Sequence, residues 1–266
     1  MRRNILTVPV RRVGVDQPDQ DWVAVEEPLQ IRLDGRDVAI TMRTPGHDRE
    51  LAAGFLFTEG ILKGPEEIAD IELSSGASNS VEVRSVDGVE IDFAQLDRHS
   101  FLSSSCGVCG KTSIETLQAI GCASPARDGF AIEAEVLYAL PDALRATQLA
   151  FDRTGGLHAA GLFDAAGTLV DTREDVGRHN AVDKLIGAAL LRGAVPLSGC
   201  LMLVSGRVSF ELVQKALMAG IPMLAAVGAP SSLAVDLALR YGMTLAGFVR
   251  GRRFNVYTGD WRIRGM

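Results

Sequence analysis

Cysteine is scarce in this chain, with four residues among 266, and histidine is equally scarce at four. So few cysteines exclude a disulfide scaffold, and in a reducing compartment they stay thiols. Long hydrophobic runs are missing as well. The best candidate, residues 188–204, is broken by Arg192 and Pro196, so no membrane-spanning helix is expected there. Met1-Arg2-Arg3 is basic, yet no apolar signal-peptide core follows it. Positive charge is in deficit too: the net charge of −6 argues against nonspecific nucleic-acid binding, although local basic clusters remain compatible with it. Internal repeats and low-complexity tracts are absent. These absences lead us to expect a cytoplasmic protein without membrane insertion or a nucleic-acid partner. An apolar content of 47% supplies a real core.

The order of patterns divides the chain into an α+β region over residues 1–126 and an α/β region over residues 127–266. In the first, Leu29-Gln30-Ile31-Arg32-Leu33 and residues 37–42 flank Asp34-Gly35, while residues 81–84 and 89–93 flank Asp87-Gly88. Asp-Gly between alternating segments predicts a β-hairpin in each case. Between them, Asp48 is placed to cap a helix carrying Leu51, Phe55, Leu56 and Ile61. Glycine, serine, proline and aspartate around residues 121–129 mark the break. A helix follows over 132–149, kinked or restarted at Pro141, then strands at 157–163 and 168–172 and a helix at 180–191. Apolar strands near 200–204, 222–227 and 244–249 alternate with helices near 210–218 and 232–241, before a last strand near 254–257. That alternation predicts a largely parallel, helix-covered sheet.

Cys106 and Cys109 sit in Ser103-Ser104-Ser105-Cys106-Gly107-Val108-Cys109-Gly110-Lys111, directly before an expected helix start. A helix N-terminus and a lysine both favour an anion, so both would raise the thiolate fraction. Redox exchange, metal ligation and sulfur carriage all fit such a pair. Structural zinc needs four ligands, but Cys122 and Cys200 are isolated and the histidines show no paired spacing, so no structural metal is expected. A thioredoxin-like motif needs a strand-to-helix context that the neighbouring hairpins do not provide. Gly110-Lys111-Thr112 imitates the end of a P-loop, but Ser105 stands where that motif requires glycine. His158-Ala159-Ala160 lacks the glutamate of a zinc deaminase, and the cysteine pair lies upstream instead of downstream.

Residues 171–184 pack a strand exit, dense charge and a helix start into one segment that includes Arg178 and His179. Strand carboxyl ends with their following loops bind ligands in parallel sheets, and helix starts suit anions. Ser205-Gly206-Arg207-Val208-Ser209 and Gly228-Ala229-Pro230-Ser231-Ser232 are small-residue turns of the same kind. Phe248-Val249-Arg250-Gly251-Arg252-Arg253 ends a strand with three guanidiniums, whose forks match phosphate geometry. Solvated ion pairs and ordinary helix capping explain each of these segments singly. Together they predict a pocket for a large, phosphate-bearing anion.

Five segments in this order, residues 103–111, 172–184, 205–211, 228–234 and 247–253, resemble the formate dehydrogenase accessory sulfurtransferase family, FdhD. The resemblance implies a cytoplasmic sulfurtransferase that takes persulfide sulfur from a cysteine desulfurase. It would deliver that sulfur to the molybdenum or tungsten bis(molybdopterin guanine dinucleotide) cofactor, a bound substrate, for the formate dehydrogenase catalytic subunit. The resemblance further implies a homodimer and a C-terminal three-layer, cytidine-deaminase-like α/β domain lacking the zinc site. Carried over by position, Cys106 would bear the persulfide, Cys109 would be its partner, and Phe248, Val249, Arg250, Gly251, Arg252 and Arg253 would form the cofactor-binding stretch. Arg178, His179 and Arg207 join the site on the anion argument alone. A non-catalytic cofactor-binding chaperone is the competing class, and it has no need of the cysteine pair.

Overall fold

The computed structural model describes residues 4–14, 19–74, 79–91 and 122–266. Cys106 and Cys109 lie outside these described residues. Strands β1 (Ile5–Val10) and β2 (Asp19–Ala24) form an antiparallel ribbon that the sequence patterns did not indicate. Strands β3 (Glu27–Leu33) and β4 (Arg36–Arg43) form the first expected hairpin. Asp34 and Gly35 both adopt positive φ at its turn, the conformation a two-residue hairpin connection demands. Alternation puts Leu29, Ile31 and Leu33 of β3 into the core.

The second expected hairpin does not form among the described residues. Strand β6 (Ser80–Ser85) pairs antiparallel with the preceding β5 (Ile68–Leu73) and parallel with β3. The four-stranded sheet therefore runs β4-β3-β6-β5. Both edges of β6 are occupied, so residues 89–91 follow the Asp87-Gly88 turn without joining the sheet.

Helix α1 (Asp48–Thr58) buries Leu51, Ala52, Ala53, Leu56 and Phe57. Its N-cap is His47, at φ 59°, and not Asp48, whose carboxylate instead binds the Arg43 guanidinium at 2.9 Å. Ile61 lies beyond the helix.

After the two-residue strand β7 (Ile132–Glu133) come α2 (Ala134–Arg145), which contains Pro141, and a separate short α3 (Leu149–Thr154). The remaining elements are β8 (His158–Asp164), β9 (Leu169–Asp175), α4 (Arg178–Leu191), β10 (Cys200–Val204), α5 (Phe210–Met218), β11 (Met223–Ala226), α6 (Ser232–Arg240), β12 (Thr244–Arg250) and β13 (Arg253–Thr258). A final β14 (Ile263–Arg264) pairs with β7.

The six-stranded sheet runs β13-β12-β11-β10-β8-β9. Only the β10–β11 and β11–β12 pairings are parallel; β8–β9, β8–β10 and β12–β13 are antiparallel. The expectation of a largely parallel sheet is thus corrected to a mixed one. The turn over residues 165–168 is a tight hairpin, which can only join antiparallel strands.

Alternation along the strands explains the helix layers. Leu201, Leu203, Met223 and Ala225 share an apolar cluster with Leu137, Leu140 and Leu144 of α2. Met202, Val204, Leu224 and Ala226 share the other cluster with α4, α5 and α6. That second cluster also takes in Leu29, Ile31, Leu51, Leu56, Val81 and Val83, so one core runs from the four-stranded sheet to the six-stranded one. Helices α1 and α4 meet backbone to backbone at Gly54 and Gly187.

Candidate functional site

Because β8 and β9 run antiparallel to their neighbours in the required sense, His158 at the start of β8 lies opposite Asp175 at the end of β9. The same edge of the sheet holds the carboxyl ends of β10, β11 and β12. The turns that leave these strands are laced together by backbone hydrogen bonds. Gly228 N donates to Gly206 O (3.1 Å), Phe248 N to Gly228 O (3.0 Å), Val208 N to Ala229 O (3.0 Å) and Ser231 N to Val208 O (2.9 Å). A Cβ on Gly228 would stand 2.7 Å from the Gly206 carbonyl oxygen, so glycine is required for this approach. Ser205 Oγ accepts from Ala159 N at 2.9 Å and ties β8 into the same floor.

Helix α4 starts at this edge with Gly177 as N-cap and no side-chain cap. Arg178 follows, its Nε buried without a hydrogen-bond partner. Arg207 is exposed in the β10–α5 turn. Among the described residues neither guanidinium has a carboxylate in salt-bridge range. His179 Nε2 is 3.2 Å from Ser209 Oγ and 3.8 Å from Glu211 Oε2. Burial, reinforced by the charges of Lys215 and Arg178, lowers the His179 pKa to about 4, so the ring is neutral near pH 7. Glu211 Oε1 is buried and unpartnered beside it.

Three charged residues of the 171–184 segment, Asp175, Asp183 and Lys184, are structural instead. Lys184 Nζ is 2.6 Å from Asp175 Oδ2 and donates to Thr44 O at 2.8 Å. Asp183 pairs with Lys215 at 2.9 Å and accepts from Thr58 Oγ1 at 2.7 Å. All four ionic side chains are buried, and they fasten α4 and α5 to the β4–α1 region.

Of the C-terminal stretch, Phe248 takes φ 55°, an unusual backbone for an aromatic residue, next to irregular β12–β13 pairing. Val249 points the other way. Its side chain is fully buried in the α2-side cluster, so only its backbone can contribute to a ligand site. Arg250, Gly251, Arg252 and Arg253 are exposed and line an open depression of about 520 Å³. The Arg252 guanidinium lies 5.9 Å from the centre of the Tyr138 ring.

Arg178, His179, Arg207 and the Arg250–Arg253 turn therefore lie along one edge, and Cys106 and Cys109 are outside the described residues. Among the described residues no cluster of three metal-ligating side chains occurs. Cys200 is half-buried, and burial followed by the Asp164 charge pushes its thiol pKa up, which suits a structural thiol. Sequence reasoning named Ser209 only as part of a small-residue turn and Glu211 only within a matching segment; the fold brings both to His179. It weighed His158 only as a failed zinc ligand.

Fold and edge together define an α/β protein whose strand ends carry glycine-floored turns and a row of arginines. The chain belongs to the FdhD/NarQ family, whose model matches residues 24–264. It is 53% identical to the sulfur carrier protein FdhD of Streptomyces avermitilis, over 98% of this chain and 95% of that one. The protein of the same name from Streptomyces coelicolor is 51% identical over the same shares. In structure the chain is similar to a crystal structure described as a formate dehydrogenase accessory protein from Desulfotalea psychrophila. The TM-score is 0.76, the identity 29%, and the match covers 97% of this chain and 98% of that one.

Proposed function

We propose that this protein is a sulfurtransferase serving formate dehydrogenase, with Cys106 as the persulfide carrier. Membership of a family whose relatives are named sulfur carriers supports the reading, and so does the Cys106–Cys109 pair in its small-residue setting. The observation that carries the substrate half is the alignment of Arg178, Arg207 and the Arg250–Arg253 turn along one strand-end edge of an acidic protein. In the loading step the Cys106 thiolate attacks the outer sulfur of a cysteine desulfurase persulfide. A sulfur–sulfur bond forms at Cys106 as the donor sulfur leaves as a thiolate. The receiving substrate is the molybdenum or tungsten bis(molybdopterin guanine dinucleotide) cofactor, destined for the formate dehydrogenase catalytic subunit. Guanidinium forks hold its phosphates bidentately, with Arg250 and Arg253 reaching from the turn.

Under this reading the protein acts in the cytoplasm as a homodimer. The C-terminal half is then a cytidine-deaminase-like scaffold without zinc chemistry, since Ala160 occupies the position where a deaminase needs glutamate. No helix among the described residues is long and apolar enough to cross a membrane.

The test is mass spectrometry after incubation with a cysteine desulfurase and cysteine. The Cys106 peptide should gain the mass of one sulfur atom, and Cys106→Ala should abolish formate dehydrogenase maturation in cells. A folded protein that gains no sulfur but still binds cofactor is a chaperone, and the sulfurtransferase reading fails.

A further inference from the structure

One imidazole at the strand-end edge has charged neighbours and, among the described residues, no hydrogen-bond partner. His158 is half-buried, with its ring against Gly206; a Cβ on that glycine would come 3.2 Å from Nδ1 and 3.3 Å from Cε1. Among the described residues neither ring nitrogen makes a hydrogen bond. The charged groups that bear on it are Arg178 from the first turn of α4, Arg207 from the β10–α5 turn and Asp175 from β9.

Asp175 has no acceptor site left for a proton of the His158 ring. Oδ2 takes Lys184 Nζ (2.6 Å) and Thr44 N (3.1 Å), and Oδ1 takes Gly177 N (2.8 Å) and Asn180 Nδ2 (3.1 Å). Those donors fill the acceptor sites a carboxylate offers. An imidazolium at His158 would thus face two unpaired guanidiniums with no acceptor of its own. Burial first, and then Arg178, with Arg207 adding to them and Asp175 opposing, lower the His158 pKa. An anion between the two arginines reverses this balance, because it screens both cations and offers oxygen acceptors.

We propose that His158 takes up a proton from solvent when a pyrophosphate binds between Arg178 and Arg207, becoming the third cation of that subsite. The proposal rests on the anion reading of the edge. Its consequence is a grip that loosens as pH rises, which two arginines alone cannot provide. The arginine-only turn at 250–253 carries no such dependence, so the two parts of the edge respond differently to pH.

Binding of the dinucleoside pyrophosphate GppG, measured by calorimetry from about pH 5.5 to about pH 8, tests this, since its diester phosphates do not titrate there. Titrations in buffers of different ionisation enthalpy should show net proton uptake by the wild-type protein. Affinity should fall by at most about tenfold per pH unit, the limit for one linked proton. His158→Gln should bind with a flat pH profile and with wild-type affinity near pH 8, its fold checked by circular dichroism. Absence of proton uptake in the wild type, or uptake that persists in His158→Gln, overturns the inference. The double variant Arg178→Gln/Arg207→Gln separates the two levels. Lost affinity at every pH supports the subsite, whereas unchanged affinity removes the subsite and the inference with it.

Discussion

Gly187→Ala should destabilise the protein, although helix propensity alone predicts the opposite. Gly187 lies inside α4, where alanine is favoured over glycine by about 1 kcal/mol. A Cβ there would sit 1.9 Å from Glu50 O, 2.7 Å from Gly54 N and 2.8 Å from Glu50 C. Ordinary contact begins at 3.4 Å, so the two helices would have to part by about 1.5 Å. The obstructing atoms are backbone, and no rotamer change relieves them. A gap of only about 0.5–1 Å forfeits a quarter to a half of each contact's attraction, and α1 and α4 share the central apolar cluster. Overpacking commonly costs about 1–3 kcal/mol. A clash between backbones belongs at or above the top of that range, so the expected net loss is about 2–3 kcal/mol or more. Urea unfolding followed by far-UV circular dichroism measures it. Gly54→Ala should behave alike, since its Cβ would meet Asp183 O at 1.9 Å. Because both substitutions strain one contact, their combined cost should fall short of the sum. Equal or greater stability in Gly187→Ala would refute the close helix crossing.

Other expectations follow from the buried charges and the edge. Lys184→Met strands Asp175 and should cost about 3–5 kcal/mol in urea unfolding, the range for breaking a buried pair from one side. His179, with its pKa near 4, binds fewer protons than an unfolded histidine between about pH 6.5 and about pH 4. Stability should therefore decline as pH falls through that window, and His179→Gln should flatten the decline; parallel profiles for the two proteins would count against a buried neutral ring. Arg250→Ala/Arg253→Ala should weaken guanine dinucleotide binding by about tenfold or more, as expected when charge-assisted contacts of about 1.5–3 kcal/mol are lost. Calorimetry showing equal affinity would remove the turn from the site.

Local chemistry made the C-terminal elements legible. Residues 200–204 and 210–218 carry clean strand and helix patterns and fold as read. Strand direction was not legible, because an apolar run looks the same whichever neighbour it joins. β8 and β9 turned the sheet mixed through a hairpin whose orientation depends on the tight turn between them. The strand β5 escaped notice since Ile68-Ala69-Asp70-Ile71-Glu72-Leu73 buries only Ile71, too weak a period to register. At the site, Arg178 and Arg207 were readable as cations, and His179 as a polar ring, beside helix starts. Asp183 and Lys184 were read only as part of the dense charge of the 171–184 segment, and their buried hydrogen bonds go to partners more than a hundred residues away in sequence. Spacing cannot reveal such partners.

Those remote partners also explain how cations can be held together before any ligand arrives. Arg178, Arg207 and an imidazole repel or tolerate one another poorly, so an isolated loop would let them swing apart. Thr44 prevents that from behind the edge: its N–H donates to Asp175, its carbonyl accepts from Lys184, and its hydroxyl accepts from Val176 N. Asn180 adds a hydrogen bond to Met42 O and another with Thr41. The first turn of α4 is thereby pinned to the end of β4, and the repulsion is met during folding instead of at each binding event. Pre-organisation of this kind lets an anion gain attraction without first ordering its site. The four-stranded sheet, which contributes none of the edge's guanidiniums, is in this sense part of the proposed anion site.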